Sequence, residues 1–159
     1  PVKIFHKGYY NHMEESHELL VSYGNEKIWD VLAENPRNRV VVFGEQPEML
    51  RFPCSTQSYT DIEGSGGNFN LSSSPEALAE FFTFAGVDHI YLGSGYLKPG
   101  TDGFRNVTGL LKQGYLSDLL YENGNGLAVF SPEPRELSAE ESEALLAEFT
   151  EKYWPGEQQ

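Results

Sequence analysis

The sequence predicts an α/β domain with a mainly parallel central sheet, helices on the faces of that sheet, and a C-terminal antiparallel hairpin followed by a terminal helix. The first observation is a short apolar run at residues 87–92, which has glycines on both sides and a helical pattern before and after it. A strand between two helical crossovers is typical of a parallel sheet. The second is the run at residues 40–43, where four successive apolar residues indicate a strand covered on both faces. The third is an Asn-Gly turn between two apolar segments, which favours a hairpin.

The N-terminal half has few strong patterns. Residues 1–24 are ill-defined, although a strand at residues 2–5 and a helix at residues 12–23 fit the spacing of their apolar side chains. A better-defined helix begins after Asn25, a candidate N-cap residue, and contains an apolar stripe of Ile28, Trp29 and Leu32. It ends at Asn35-Pro36, because the residue before a proline avoids the helical region. After the strand at residues 39–44 we expect a helical turn at residues 46–50, a short strand at residues 58–62 and a loop at residues 63–68.

The C-terminal half has clearer signals. Ser74-Pro75-Glu76 predicts a helix start, and Gly86 is placed to adopt the left-handed conformation at the end of that helix. A loop at residues 94–103 precedes a second helix, which Gly114 ends, and residues 116–122 and 127–130 are the two hairpin strands. Ser138 and Glu141 form a predicted capping box for a terminal helix that extends to residue 154.

The composition predicts one globular domain over residues 1–159. The formal net charge of −13 argues against nucleic-acid binding and against basic docking on anionic lipid, because such a surface repels phosphate. It favours solubility, with binding of cations or basic partners as the alternative. Cys54 is the single cysteine and predicts a packed turn rather than a disulfide or a nucleophile.

No segment has the ~20 apolar residues that cross a bilayer, and no signal peptide is recognisable. Because the sequence starts at Pro1 rather than at a methionine, we expect a fragment of a longer protein. In that case the missing membrane spans say little about the parent protein.

No metal, cofactor or catalytic constellation is predicted. His12 and His17 lie among glutamates, but their spacing puts them about 140° apart on a helix, so a solvated helix surface is the preferred interpretation. His89 is predicted to be packed in the sheet or exposed at its edge. The remaining candidates for acid or base groups, which no pattern brings together, are Asp61, Glu63 and Asp102.

Three glycine-containing loops are the candidate ligand site, because each follows a predicted strand. Ligands of open α/β sheets bind at the carboxyl ends of the parallel strands, where backbone N–H groups are available to an oxyanion or a sugar. None of the loops matches the phosphate-binding pattern G-x-G-x-x-G, and turn geometry is the alternative explanation of the glycines. The candidate ligand-binding residues are Glu45, Gly64, Ser65, Gly66, Gly67, Ser94, Gly95 and Tyr96.

Four segments carry a resemblance to a known class of proteins: RVVVFGE at residues 39–45, FAGVDHIY at 84–91, LLKQGYL at 110–116 and LYENGNGLAVF at 120–130. They resemble the C-terminal extracytoplasmic domain of bacterial polytopic membrane proteins of the dolichyl-phosphate-mannose-type glycosyltransferase class. There, a strand similar to G-V-D-Y-I-Y is followed by a helix and by a hairpin whose turn carries E-N-G. The resemblance covers about residues 25–131 and concerns fold more than chemistry.

The resemblance implies a non-catalytic soluble accessory domain on the extracytoplasmic face of the cell membrane. Its partners would be the rest of a membrane-embedded parent chain and a carbohydrate or lipid-linked acceptor. Catalysis in that class belongs to loops between membrane helices, so no catalytic residue is carried over. The alternative is a free-standing, cytoplasmic ligand-binding protein or enzyme that uses the glycine loops. A third interpretation is a protein-interaction module that uses the aromatic side chains Tyr9, Tyr10 and Tyr96.

Overall fold

The computed structural model describes residues 17, 18, 21, 24–44, 52–64 and 71–153, without the side chains of residues 63 and 64. The expected strand at residues 2–5, most of the expected helix at 12–23 and the expected turn at 46–50 lie outside the described residues. Helices and strands alternate in the order α1 (Glu26–Ala33), β1 (Arg39–Phe43), β2 (Ser55–Ser58), α2 (Tyr59–Gly64), α3 (Pro75–Ala85), β3 (His89–Leu92), α4 (Asp102–Lys112), β4 (Leu116–Glu122), β5 (Asn125–Phe130) and α5 (Ala139–Tyr153).

The five described strands form one sheet in the order β2-β1-β3-β5-β4. Strand β1 pairs in parallel with both β2 and β3, so that Val41 lies opposite Gln57 on one side and Ile90 on the other. Strand β5 is antiparallel to β3 and to β4. The predicted α/β class, the central parallel pair and the terminal hairpin are therefore confirmed. The described sheet is mixed, however, and not mainly parallel as expected, because the hairpin at its end makes two of the four strand pairings antiparallel.

The sheet separates two apolar cores. Successive side chains of a strand point to opposite faces, so β1 and β3 contribute to both cores. On one face, α1 packs Ile28 and Leu32 against Val40, Val42, Tyr91 and Leu127. The opposite face is covered by a larger core, to which the later helices contribute Leu78, Phe82, Leu110 and Phe149. Both faces of β1 are thus covered, as the apolar run of this strand predicts.

The expected strand at residues 58–62 is wrong. The edge strand β2 occupies Ser55–Ser58, and the chain turns directly into helix α2. Tyr59 and Ile62 are three residues apart, so they share one helical face, and both are buried. The Tyr59 ring stacks on Phe43 with 4.3 Å between centroids. The polar edge strand before it has no apolar alternation, since three of its four residues are exposed.

The caps at the two ends of α3 agree with the sequence. The Ser74 hydroxyl accepts a hydrogen bond from Ala77 N at 3.0 Å, and Gly86 closes the helix with a φ of 69°. The hairpin turn is tighter than expected: Asn123 and Gly124, with φ values of 53° and 80°, connect β4 to β5 directly. Positive φ at both central residues is what a two-residue hairpin turn requires.

Helix α1 is capped by a partner distant in sequence. Asn25 stands at the expected N-cap position, but its side chain makes no capping hydrogen bond. The Glu122 carboxylate at the end of β4 instead accepts hydrogen bonds from Lys27 N and Ile28 N, at 3.0 and 3.3 Å. A carboxylate at this position stabilises the free N–H groups and the positive end of the helix dipole. The hairpin therefore holds the N-terminus of α1.

Candidate functional site

The carboxyl ends of β1 and β3 meet in close backbone contact. Gly93 N donates to Phe43 O at 2.8 Å. A Cβ atom on Gly93 would lie 3.2 Å from the same carbonyl oxygen, which is a tight contact. Close approach of two strand ends therefore accounts for this glycine without a ligand.

The loop that follows β3 uses its backbone N–H groups within the protein. Ser94 N donates to Asn125 Oδ1 at 2.9 Å, Tyr96 N donates to Gly93 O at 3.1 Å, and Leu97 N donates to the Tyr153 hydroxyl at 3.0 Å. Gly95 has a φ of 74°, which a turn requires. The bonds to Asn125 and Tyr153 attach the loop to β5 and α5, and the three bonds together occupy three of the N–H donors that an anion would need.

The candidate residues of the glycine loops are only partly described. Tyr96 is brought to the start of α2, where its hydroxyl lies 3.0 Å from the Thr60 hydroxyl. Gly64 ends helix α2, so it follows a helix and not, as expected, a strand. The remaining candidates, which lie outside the described residues, are Glu45, Ser65, Gly66 and Gly67.

A groove on the α1 face of the sheet is a candidate ligand site. It lies between the C-terminal end of α1, the strand β3 and the hairpin, it is partly open to solvent, and its volume is ≈ 350 Å³. Small-molecule sites are concave, mainly apolar, and contain a few polar groups that orient the ligand. The apolar lining residues are Val31, Leu120, Leu127 and Val129, and the polar ones are Glu34, Asn35, Asn38, His89 and Asp118. We refer to this site as the α1–hairpin groove.

His89 reaches the groove because of strand alternation. In β3, Ile90 and Leu92 belong to the larger core, so His89 and Tyr91 face α1. The Nδ1 atom of His89 is buried and has no hydrogen-bond partner in the described part of the chain. A buried nitrogen without a partner is costly, and four other side-chain atoms of the described residues share this condition, so it does not by itself indicate a ligand.

The electrostatic environment favours a neutral imidazole. Burial lowers the pKa of His89 below its ordinary value, and the nearby carboxylates of Asp88 and Asp118 only partly oppose this effect. Neutral imidazole has one donor and one acceptor nitrogen, so it can bond to a group that both donates and accepts. His89 is thus suited to binding a hydroxyl or an amine.

Asp118 reaches the groove through a β-bulge. Between Ser117 and Leu120 the register of β4 shifts, so that Asp118 and Leu119 together lie opposite Ala128. Asp118 adopts a φ of 48°, in the left-handed region that few residues other than glycine occupy. Bulges of this kind redirect side chains and are frequent next to binding sites.

Asn38 closes the groove at the turn between α1 and β1. Its side chain is buried, with 6% exposed, and donates Nδ2 to Leu32 O at 3.3 Å. Its backbone N–H donates to Asn35 O at 3.0 Å. No described hydrogen bond uses Asn38 Oδ1, and Asn38 and His89 both line the groove.

The surroundings of three other side chains that could be reactive, those of Cys54, Asp102 and His17, are explained by packing or by contacts within the protein. Burial, followed by the charge of Asp88, raises the pKa of Cys54 to about 11, so its thiol stays protonated at neutral pH. The carboxylate of Asp102 forms an exposed ion pair with Arg105 at 3.3 Å. His17 packs edge-on against Trp29, with 4.7 Å between ring centroids. Within the described ranges, no group of three or more His, Cys, Asp and Glu side chains is arranged to hold a metal ion.

The groove was missed by sequence reasoning, which examined the glycine loops instead. The available signal was the placement of polar residues in otherwise apolar strands, namely His89 in β3 and Asp118 in β4. Such residues suggest either a packed polar group or a site, and the pattern alone does not distinguish the two.

The fold and the groove together define a mixed α/β domain with a candidate site for one small molecule. No protein-family model matches the chain, and neither a curated protein nor a solved structure matches it. Over the ranges that the structure covers, no helix has the length and apolar character needed to cross a membrane.

Proposed function

We propose that this chain is a non-catalytic, ligand-binding accessory domain whose α1–hairpin groove binds a small hydroxyl-rich molecule such as a carbohydrate. The observation that carries the proposal is the lining of the groove, where the polar side chains of Asn38, His89 and Asp118 accompany an apolar surface. A ligand hydroxyl would find hydrogen-bond partners among these side chains. The volume of ≈ 350 Å³ falls within the range of small-molecule sites.

The chemistry of the groove suits a sugar ring. A hydroxyl group donates and accepts, so it can pair with the neutral imidazole of His89, with Asn38 Oδ1 and with the carboxylate of Asp118. The apolar surface formed by Leu120, Leu127 and Val129 can contact the C–H face of a ring.

The structure of the loop at the carboxyl ends of the parallel strands also supports a binding role for the groove. In open α/β sheets, reactive groups lie at the carboxyl ends of the parallel strands. Here the described loop at that edge is held by Asn125 and Tyr153, and three of its N–H groups donate within the protein. These hydrogen bonds support a structural role for the loop, in preference to the alternative of a ligand-binding protein or enzyme that uses the glycine loops.

The resemblance to the extracytoplasmic domains of membrane glycosyltransferase-like proteins provides the proposed context. The four resembling segments include β1, β3 and the hairpin, which are neighbours in the sheet. The same strands supply His89, Leu120, Leu127 and Val129 to the groove. In this proposal the domain is attached to a membrane-embedded parent chain and contacts a carbohydrate or lipid-linked acceptor outside the membrane.

Two-dimensional NMR of the labelled domain, titrated with mono- and disaccharides, tests the binding. We expect the amide signals of Asn38, His89 and Val129 to shift in a saturable manner, and His89→Leu to weaken binding because it replaces the polar imidazole with an apolar side chain. Ser94→Ala is the matched control. It alters the loop after β3, which does not line the groove, and it leaves the backbone hydrogen bond of Ser94 intact. Shifts confined to residues 94–97 would support the glycine-loop alternative, and no saturable shift with any sugar would refute the proposal.

The proposed parent needs a separate test. Sequencing the complete gene shows whether membrane-spanning segments are encoded with this domain. A complete gene that encodes this domain without them would refute the membrane context and would leave the binding proposal intact.

A further inference from the structure

We propose that the α1–hairpin groove prefers ligands that carry a protonated amino group over neutral or anionic ligands of the same size. The preference rests on the binding function proposed above, and concerns the charge of the ligand rather than its hydroxyl groups. It is carried by the arrangement of negative charge around the groove.

Two walls of the groove carry carboxylates. Glu34 lies at the C-terminal end of α1, and Asp118 lies in the bulge of β4. Both line the groove together with His89, and no lysine or arginine is among the lining residues. Arg37, in the turn after α1, is exposed, as Glu34 and Asp118 are, but unlike them it is not part of the lining.

Helix α1 adds a partial negative charge. The last carbonyl groups of a helix carry the negative end of its dipole, which stabilises nearby cations. Val31 and Glu34 place this end of α1 at the groove, and the last turn of α1 contains no basic residue. The N-terminal end of the same helix lies at Glu122, which is not part of the groove.

The remaining polar atoms are compatible with an ammonium group. An ammonium ion needs acceptors, and the groove offers the carboxylates, Asn38 Oδ1 and one nitrogen of neutral His89. The apolar floor would contact the uncharged body of the ligand. The overall charge of −13 acts in the same direction, because it raises the local concentration of cations and repels anions.

The test compares three sugars with one ring and different charges: glucose, glucosamine with its amino group protonated, and glucuronate. Affinities are measured by NMR titration at low and at high salt. We expect glucosamine to bind on the order of threefold to tenfold more tightly than glucose, as partly exposed charge pairs allow, and glucuronate to bind most weakly. High salt should reduce the difference between glucosamine and glucose.

Charge-removing variants locate the origin of the preference. Asp118→Asn retains a residue that tolerates the left-handed conformation, and Glu34→Gln retains the side-chain length. Each should lower the glucosamine preference and change the glucose affinity much less. Glu80→Gln, on the outer surface of α3, is the matched control, since it removes one negative charge far from the groove.

The outcomes separate the two proposals. Equal affinity for glucose and glucosamine would refute the charge preference and leave the binding function standing. Binding of none of the three sugars would refute both. A preference that survives in the Glu34→Gln, Asp118→Asn double variant, or that falls equally in Glu80→Gln, would show that groove carboxylates are not its source and would overturn the inference.

Discussion

Gly114 is the position at which a single methyl group should destabilise the fold most clearly. It lies just after α4, has a φ of 85°, and has the backbone of Arg135 packed directly on it. A Cβ atom at Gly114 would lie 2.1 Å from Arg135 O and 2.9 Å from Arg135 N. The two residues are also linked by a hydrogen bond from Arg135 N to Gly114 O at 3.0 Å. Gly114→Ala therefore forces the chain before α5 away from the β4 side of the fold.

The expected decrease in the free energy of unfolding of Gly114→Ala has two contributions. An L-residue in the left-handed region costs about 1–2 kcal/mol. Overpacking against a backbone that must move costs about 1–3 kcal/mol more. The sum of about 2–5 kcal/mol is a large share of the 5–15 kcal/mol typical of a domain. Urea denaturation followed by circular dichroism measures this loss directly.

Gly100→Ala is the matched control for this measurement. Gly100 has a φ of 87°, almost the same as Gly114, but a Cβ atom there would meet nothing within 4 Å. Gly100→Ala should lower the free energy of unfolding only by the backbone contribution, about 1–2 kcal/mol. The difference between the two variants isolates the contact with Arg135. Equal losses would refute the reasoning, because they would mean that the Arg135 segment moves aside at no cost.

Two further predictions concern the α1 face. Removing the cap with Glu122→Ala should lower the free energy of unfolding by about 0.5–2 kcal/mol, since Lys27 N and Ile28 N lose their acceptor. Glu122→Gln should lose less, because it keeps one acceptor oxygen, and urea denaturation of both variants measures the difference; an unchanged stability in Glu122→Ala would contradict the capping role. His89 should make stability depend on pH. Its pKa in the folded state lies below the ordinary 6.5, chiefly because of burial, so the unfolded chain binds the proton more readily. The contribution of His89 to stability is fully present above pH 6.5 and is lost as the pH falls through the folded-state pKa. Denaturation at a series of pH values should therefore show that the free energy of unfolding declines more steeply below pH 6.5 for the natural chain than for His89→Gln. An equal decline in both would contradict this assignment.

Elements whose signals are local were predicted well. The boundaries of α3 follow from Ser74 and Gly86, which stabilise the two ends through bonds to their own helix. The hairpin follows from Asn123-Gly124, whose conformational preference specifies the turn before any strand pairs. The strand β1 is recognisable because both of its faces are covered. In each case the information lies within a few residues.

The strand β2 was not recognisable for the opposite reason. It is an edge strand of four residues, Ser55–Ser58, and its stability comes from pairing with β1 and not from an apolar face. The buried tyrosine and isoleucine beside it fit a strand by composition, but Tyr59 and Ile62 are spaced for a helix. The Tyr59 ring packs against Phe43, which lies on another strand, and no local sequence pattern can show such a contact.

The groove depends on relations between distant segments, which is why its residues could not be grouped from the sequence. In a regular strand Leu116 and Leu120 would share a face, because their spacing is even. The bulge at Asp118 changes this, so that Leu116 belongs to the larger core and Leu120 packs at the smaller one. The same bulge brings a carboxylate beside His89. Glu122, two residues beyond Leu120, then holds α1 across a separation of 95 residues. One irregularity in β4 thus places the hairpin wall of the groove, while the cap at the end of that strand positions the helix that forms the other wall.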